Sequence, residues 1–351
     1  MQWQKPPLLV ENVLLWPIRN RKVKGRSDIE NLIDIILLGF LLMIAIAVIR
    51  IRDLFAVIML SGIYSLTTAA LFMDLDAVDV AFTEAAVGAG VTTVLMLSSL
   101  YLTRRFEAKP KHGNVLPLMV VGITGAALIY AALDAPLFGD ASAPVHQHVA
   151  PRYIQQSQAE IGMPNMVTAV LASYRGYDTF GETVVIFTAA LAVMLLLGIQ
   201  KGSEYRPPFN SVDDQIILKV VVKLLIPLIL LYGLYVQFHG DFGAGGGFQA
   251  GVIFATGFVL YDLAFGQKQA RTVISPAWLP RLAALGVLIY GGVGLVSLLN
   301  GKAFLDYSAL SQDPVHGQHL GILLVELGVG VTVFSVILLI FFAISGRKRK
   351  T

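Results

Sequence analysis

The sequence predicts an all-α polytopic membrane protein of about nine transmembrane helices, joined by turns and by a few short interfacial or half-helices. Three observations predict it. Hydrophobic residues make up 56% of the chain and charged residues only 14%, where a soluble domain carries about 25% charged residues. The mean hydropathy is +0.72. Apolar runs long enough for a hydrocarbon core of about 30 Å, which takes about 20 helical residues, recur from residue 31 to residue 345 with Asp-, Pro- and Gly-rich turns between them. The chain has no cysteine, which excludes thiolate metal sites, iron–sulfur ligation and disulfides, so redox chemistry would have to reside in partners.

Residues 1–29 form a basic segment with Lys5, Arg19, Arg21, Lys22, Lys24 and Arg26. Pro6, Pro7 and Pro17 bracket only a short apolar run there, so no secretory signal peptide is expected. Residues 30–108 hold three spans, at 31–50, 54–73 and 79–102. Residues 109–205 hold two, at 115–133 and 180–199, separated by a long polar loop over 134–164 in which His146 and His148 suit an exposed role. The apolar piece 165–174 precedes a polar break and reads as a half-helix leading into the fifth span. Residues 206–351 hold four spans, at 216–238, 248–265, 279–299 and 320–345.

Lys and Arg set the orientation. With the carboxyl terminus (Arg347, Lys348, Arg349, Lys350) cytoplasmic, nine spans put Arg50, Arg52, Arg104, Arg105, Lys109, Lys111, Lys201, Arg206, Lys268 and Arg271 inside as well. Only Arg152, Arg175 and Lys302 fall outside, apart from the first 29 residues, whose side stays open. The third, fifth and ninth spans then run inward from the same side. Glu84, Glu182 and Glu326 lie in their first turns, about 8–12 Å below the outer boundary at ~1.5 Å per residue. A carboxyl at a helix centre in a bilayer costs roughly 2.5–3.5 kcal/mol, so intramembrane acids are functional candidates by default.

Each group of residues has a functional and a structural reading. Asp79 and Glu84 open the third span, followed by Ala85, Ala86, Gly88, Ala89 and Gly90. Small residues permit close helix approach and local unwinding or a π-bulge, which suits an ion path; stabilisation of the helix N-terminus is the alternative. Asp178 and Glu182 share a face if their helix starts by Thr179. Asp178 or Thr179 could cap that helix and Arg175 could pair with either acid. Lys219 and Lys223 share a face of the sixth span, as relay elements or as snorkelling cations. The string Gly240 to Gln249 lacks a preceding strand and a following Lys-Ser/Thr, so it is a tight turn and not a phosphate loop. His316, His319 and Glu326 surround the start of the ninth span. Metal binding there would need a third ligand, with only Asp313 at hand in the loop; the alternative is a helical stripe facing partner helices. The sequence holds no nucleophile with a paired base, no nucleotide fingerprint and no haem-type ligand pair, so direct enzymology is not expected.

These strings resemble a known family. D-V-A-F-T-E-A-A-V-G-A-G (Asp79 to Gly90) resembles the hydrogenase D-like region at the carboxyl end of the large subunit of Mrp-type cation/proton antiporters. Y-R-G-Y-D-T-F-G-E (Tyr174 to Glu182) is similar to the E-like region, which usually begins with Phe. From about Asp213 onward the chain is similar to the B subunit of Mrp antiporters, through its G-G-G-F turn and H-L-G-I-L-L-V-E-L-G-V-G (His319 to Gly330). Ala244 stands where a proline often precedes the glycines, and the D-like and E-like pieces are fused to the B-like region instead of to the large subunit. The resemblance implies a secondary-transporter subunit, not an enzyme, in a prokaryotic cell membrane. Its partners would be the bilayer and other Mrp-type subunits, among them an antiporter-like large subunit, with no nucleic acid. It implies no cofactor beyond transported Na+ and H+. Glu84 and Glu182 match glutamates that the family uses in ion translocation; Asp79, Asp178 and Lys223 would tune them, and Glu326 and His319 complete the candidates. A redox-driven hydrogenase or oxidoreductase complex shares these modules, and a purely structural docking subunit is the remaining alternative.

Overall fold

The computed structural model describes residues 28–108, 115–137, 140, 142–198 and 216–347. The basic segment's cluster, Lys109, Lys111, Lys201, Arg206 and the last lysines and arginine fall outside them. Among the described residues, nine helices are long and apolar enough to cross a membrane, as the sequence predicts.

Helices α1 (Asp28–Arg50) and α2 (Leu54–Asp74) form a hairpin. Helix α3 runs over Val78–Leu102 and is π-helical from Ala85 to Thr92, where the Ala/Gly-rich string imposes little side-chain resistance to a wider turn. Asp53 caps α2 by accepting from Phe55 N at 3.0 Å and pairs with Arg105 Nη2 at 2.7 Å. The backbone bond from Leu54 N to Arg105 O, 2.9 Å, ties the same two ends together. Helix α4 (Val115–Asp134) buries none of its residues within this chain.

The polar loop folds into α5 (Ala150–Glu160), and the apolar piece after it into the short α6 (Met166–Thr168, continuing as a π turn over Ala169–Tyr174). This is the half-helix that precedes the fifth span. Asn165 caps α6 by accepting from Val167 N, and its amide donates to Gly240 O at 3.1 Å and Gly243 O at 2.9 Å. Thr168 Oγ1 donates to Gly240 O at 2.6 Å. The half-helix is thereby fastened to the glycine-rich turn.

The remaining helices are α7 (Gly176–Leu197), α8 (Ile216–His239), α9 (Gly247–Phe265), α10 (Gln267–Val273), α11 (Leu279–Leu299) and α12 (Pro314–Ser345). Helix α12 is apolar on every side, the pattern of a helix buried all round, and it packs against α7, α9 and α11. Close approach requires glycine: a methyl on Gly251 of α9 would lie 2.7 Å from Gly330 O, and one on Gly247 would overlap the Glu326 carbonyl. The turn over 240–246 is tight, with Gly246 at φ 120° and its N–H bonded to Val236 O at 3.0 Å.

Two helix starts differ from the sequence reading. Helix α7 begins at Gly176, not near 180, and no side chain caps it. Asp178 sits inside its first turn and pairs with Arg175 Nη2 at 2.6 Å, so it is not a cap. Helix α12 begins at Pro314, not near 320, because Asp313 caps it by accepting from Val315 N at 3.1 Å. That role accounts for Asp313 without a metal.

Candidate ion-path cavity

Asp79 and Thr83 stand four apart at the start of α3 and share a face. Glu182, Thr183 and Ile186 present one face of α7, and Val325, Glu326 and Val329 one face of α12. With Val167, Thr168 and Leu171 of α6, Tyr290 of α11 and the turn Gly245 to Gln249, they line a cavity of about 630 Å³. Three carboxyl groups, Asp79, Glu182 and Glu326, thus open onto one space, with no lysine or arginine among the described residues of its wall.

The wall is held by hydrogen bonds. Gln249 Nε2 donates to Thr83 Oγ1 at 2.9 Å, and Thr83 Oγ1 donates to Asp79 O at 2.9 Å. Tyr290 and Tyr307 donate from their hydroxyls to Gly176 O (2.7 Å) and Ala172 O (2.8 Å), fixing the break between α6 and α7. Glu326 lies against the glycine turn: a side chain on Gly246 would begin 3.1 Å from its Oε1. Glu326 and Asp79 are half-buried, whereas Glu182 is exposed on this chain.

The other candidates lie elsewhere. Glu84 is half-buried and is not in the cavity wall. It stands beside the glycine of its own π segment, where a methyl on Gly88 would meet its Oε1 at 2.6 Å and Ser65 of α2 even closer. Lys223 is exposed and lies over the Phe265 ring, 5.8 Å from its centroid, outside the cavity wall. Asp178 remains at the surface with Arg175. His319 is half-buried and faces Gly162 and Asp241. Burial pushes the Asp241 carboxyl above the ordinary carboxylate range, partly offset by His319. Outside the cavity wall the Tyr174 hydroxyl donates to Glu160, which also meets Arg152 Nη2 at 3.2 Å. These partners hold Glu160 below the ordinary carboxylate range, while burial and Glu160 push Tyr174 up to about 12.

Sequence reasoning passed over Thr83, Gln249 and Asp241. Gln249 carries a weak signal, as a polar side chain in the first turn of an apolar span; the other two have none beyond their neighbours. Asp262, an acid inside the apolar string V-L-Y-D-L-A-F, carries a clear one.

Three family models match the chain in succession. The first, MbhD, describes the D subunit of MBH and matches residues 39–105; the second, MbhE, describes the E subunit of MBH and matches 109–216. The third, "Domain related to MnhB subunit of Na+/H+ antiporter", matches 217–339. A Staphylococcus haemolyticus (strain JCSC1435) protein described as "Putative antiporter subunit mnhB2" is 35% identical over 139 residues, which are 39% of this chain and 98% of that protein. The chain belongs to the MnhB family of antiporter subunits. Its similarity to a probable K(+)/H(+) antiporter A/B subunit of Rhizobium meliloti (strain 1021) extends further, with 24% identity over 329 residues. That match takes in 84% of this chain and 32% of the relative, so the chain spans about a third of that protein's length. The fold matches a chain of the Mrp complex from Dietzia sp. DQ12-45-1b with a TM-score of 0.73 and 24% identity, covering 99% of this chain and 40% of that one. In this MnhB-family chain each cavity acid comes from a different matched region: Asp79 from the first, Glu182 from the second and Glu326 from the third.

Proposed function

We propose that this chain is part of a multi-subunit Mrp-type cation/proton antiporter in a prokaryotic cell membrane, a transporter subunit and not an enzyme. Asp79, Glu182 and Glu326 receive a hydrated Na+ or exchange it for protons in the cavity, and Glu84 carries charge deeper along α3. Asp178, Lys223 and His319 act from outside the cavity, as electrostatic neighbours of the path. Other Mrp-type subunits, including an antiporter-like large subunit, cover the exposed flank of Glu182. The single observation that carries this reading is the convergence of three acids from three separately matched regions on one space that no basic side chain lines among the described residues. Three carboxylates facing lipid alone would each cost several kcal/mol, whereas facing a cation and water they are balanced. The distribution of Lys and Arg supports a cytoplasmic carboxyl terminus.

Glu182→Gln, Glu326→Gln and Glu84→Gln in the complete complex test this. Each is expected to abolish Na+-dependent pH changes in everted vesicles while complex yield stays at the parent level. Full antiport with assembly intact refutes the reading, and loss of yield alone assigns the acids to helix fastening.

A second reading keeps the ion path in a redox-driven complex. Two of the three family descriptions name MBH subunits, which favours it. Sodium transport driven by a proton gradient alone, with no electron donor present, decides for the antiporter.

A further inference from the structure

We infer that Asp262 is a proton-binding site at the end of the bundle that carries the carboxyl terminus, separate from the cavity of Asp79, Glu182 and Glu326. The inference rests on the antiporter reading for its physiological role but not for its test. Helix α9 starts in the cavity wall with Gly247 and Gln249 and carries Asp262 in its last turn. At ~1.5 Å per residue the carboxyl lies about 20 Å along the axis from Gln249.

Asp262 is only 8% exposed, and its Oδ1 is fully buried and accepts no hydrogen bond from the described residues. A buried carboxylate oxygen without a donor is costly, and such a group in a native fold calls for an explanation. Protonation removes the charge that burial penalises. The charged form is not abandoned either, because Arg271 of α10 is its electrostatic neighbour. Lys223 of α8 lies over the ring of Phe265 one turn away. Arg347, at the end of α12, donates to the Leu197 carbonyl that ends α7. Gln267 of α10 bonds Ser345 at 3.2 Å.

The basic surroundings choose the ligand. A sodium ion needs several oxygen donors and net negative charge, and one carboxyl beside the Arg271 guanidinium supplies neither. A proton needs a single oxygen. A buried oxygen without a donor and a cation beside it leave room for both the neutral and the charged carboxyl, so the group can cycle. The cavity, with three acids and no base among its described lining, suits the hydrated cation, and Asp262 adds a separate proton site at the other end of α9.

The experiment uses the intact complex with Asp262→Asn, Asp262→Glu and the double variant Asp262→Asn/Arg271→Gln. Infrared difference spectra on a pH step without sodium are expected to show a protonated carboxyl band that Asp262→Asn removes and Asp262→Glu shifts. Sodium transport is expected to fall at least tenfold in Asp262→Asn and in the double variant, and to recover in Asp262→Glu. No band lost in Asp262→Asn overturns the inference. So does recovery of transport in the double variant, since Asp262 would then only balance Arg271. A parent complex without antiport would defeat the antiporter reading, while the infrared band would still decide this one.

Discussion

Gly251→Ala probes the contact that sets α9 against α12. A methyl there would lie 2.7 Å from Gly330 O, 2.9 Å from Val333 Cβ and 3.2 Å from Phe334 N, where ordinary contact starts at 3.4 Å. The obstacle is a backbone oxygen on a fully packed helix, so no side chain can swing aside; the helices must part by about 0.7 Å. Overpacking of this kind costs typically 1–3 kcal/mol. The better helix propensity of alanine offsets roughly 0.5–1 kcal/mol of that, leaving a net loss of about 1–2 kcal/mol. The displacement also reaches the cavity, because Gly247 one turn earlier touches the Glu326 backbone and Gln249 holds Thr83. The assay is thermal denaturation of the purified complex, followed by its monodisperse chromatographic peak, with antiport measured beside it. Gly122→Ala on α4 is the control, since a methyl there meets nothing within 4 Å. The expected result is a lowered transition and reduced antiport for Gly251→Ala and no change for Gly122→Ala. Parent-like stability in Gly251→Ala, or equal damage from the control, would refute the packing argument.

Asp53 is held below the ordinary carboxylate range chiefly by its hydrogen bond to Arg105. A depressed carboxylate stabilises the fold above its usual pKa of about 4 and loses that contribution as pH falls through the lowered value. Exchange of the Leu54 amide, which bonds Arg105 O, taken relative to its unstructured rate at each pH, should therefore stay slow at neutral pH and quicken on acidification and in Asp53→Asn. A rate indifferent to both would contradict the closure. The half-helix gives a ranking. Thr168→Val removes one bond to Gly240 O, worth about 0.5–1.5 kcal/mol, whereas Asn165→Ala removes two such bonds and a cap. Limited proteolysis of the 240–246 turn should accelerate more in Asn165→Ala than in Thr168→Val, and the reverse order would show that the turn is held by something else.

The spans were legible because bilayer thickness sets the length of an apolar helix, and each run here meets it. The starts of α7 and α12 were not, because Gly176 to Thr179 and Pro314 to His319 are polar yet helical. Arg175–Asp178 and the Asp313 cap stabilise them where hydropathy falls. Glu84 and Glu182 stood out as acids in their apolar strings, and Glu326 joined them only through the topology. Glu182 and Glu326 line the cavity, but Glu84 is turned about 140° from Asp79 at ~100° per residue, which takes it out of the wall Asp79 belongs to. The bond between Thr83 and Gln249 joins residues far apart in sequence and leaves no local trace. Asp241 was hidden for a similar reason: its turn was legible, but its placement beside His319 depends on how α12 packs.

The central claim is that Asp79, Glu182 and Glu326 bind one transported cation together. Its most direct measurement is a density map of the intact complex in thallium, a heavy stand-in for a monovalent cation. A peak is expected among these three carboxyl groups that Glu326→Gln and excess sodium both remove. A cavity filled only by a lipid tail, or a peak that survives both, would contradict it.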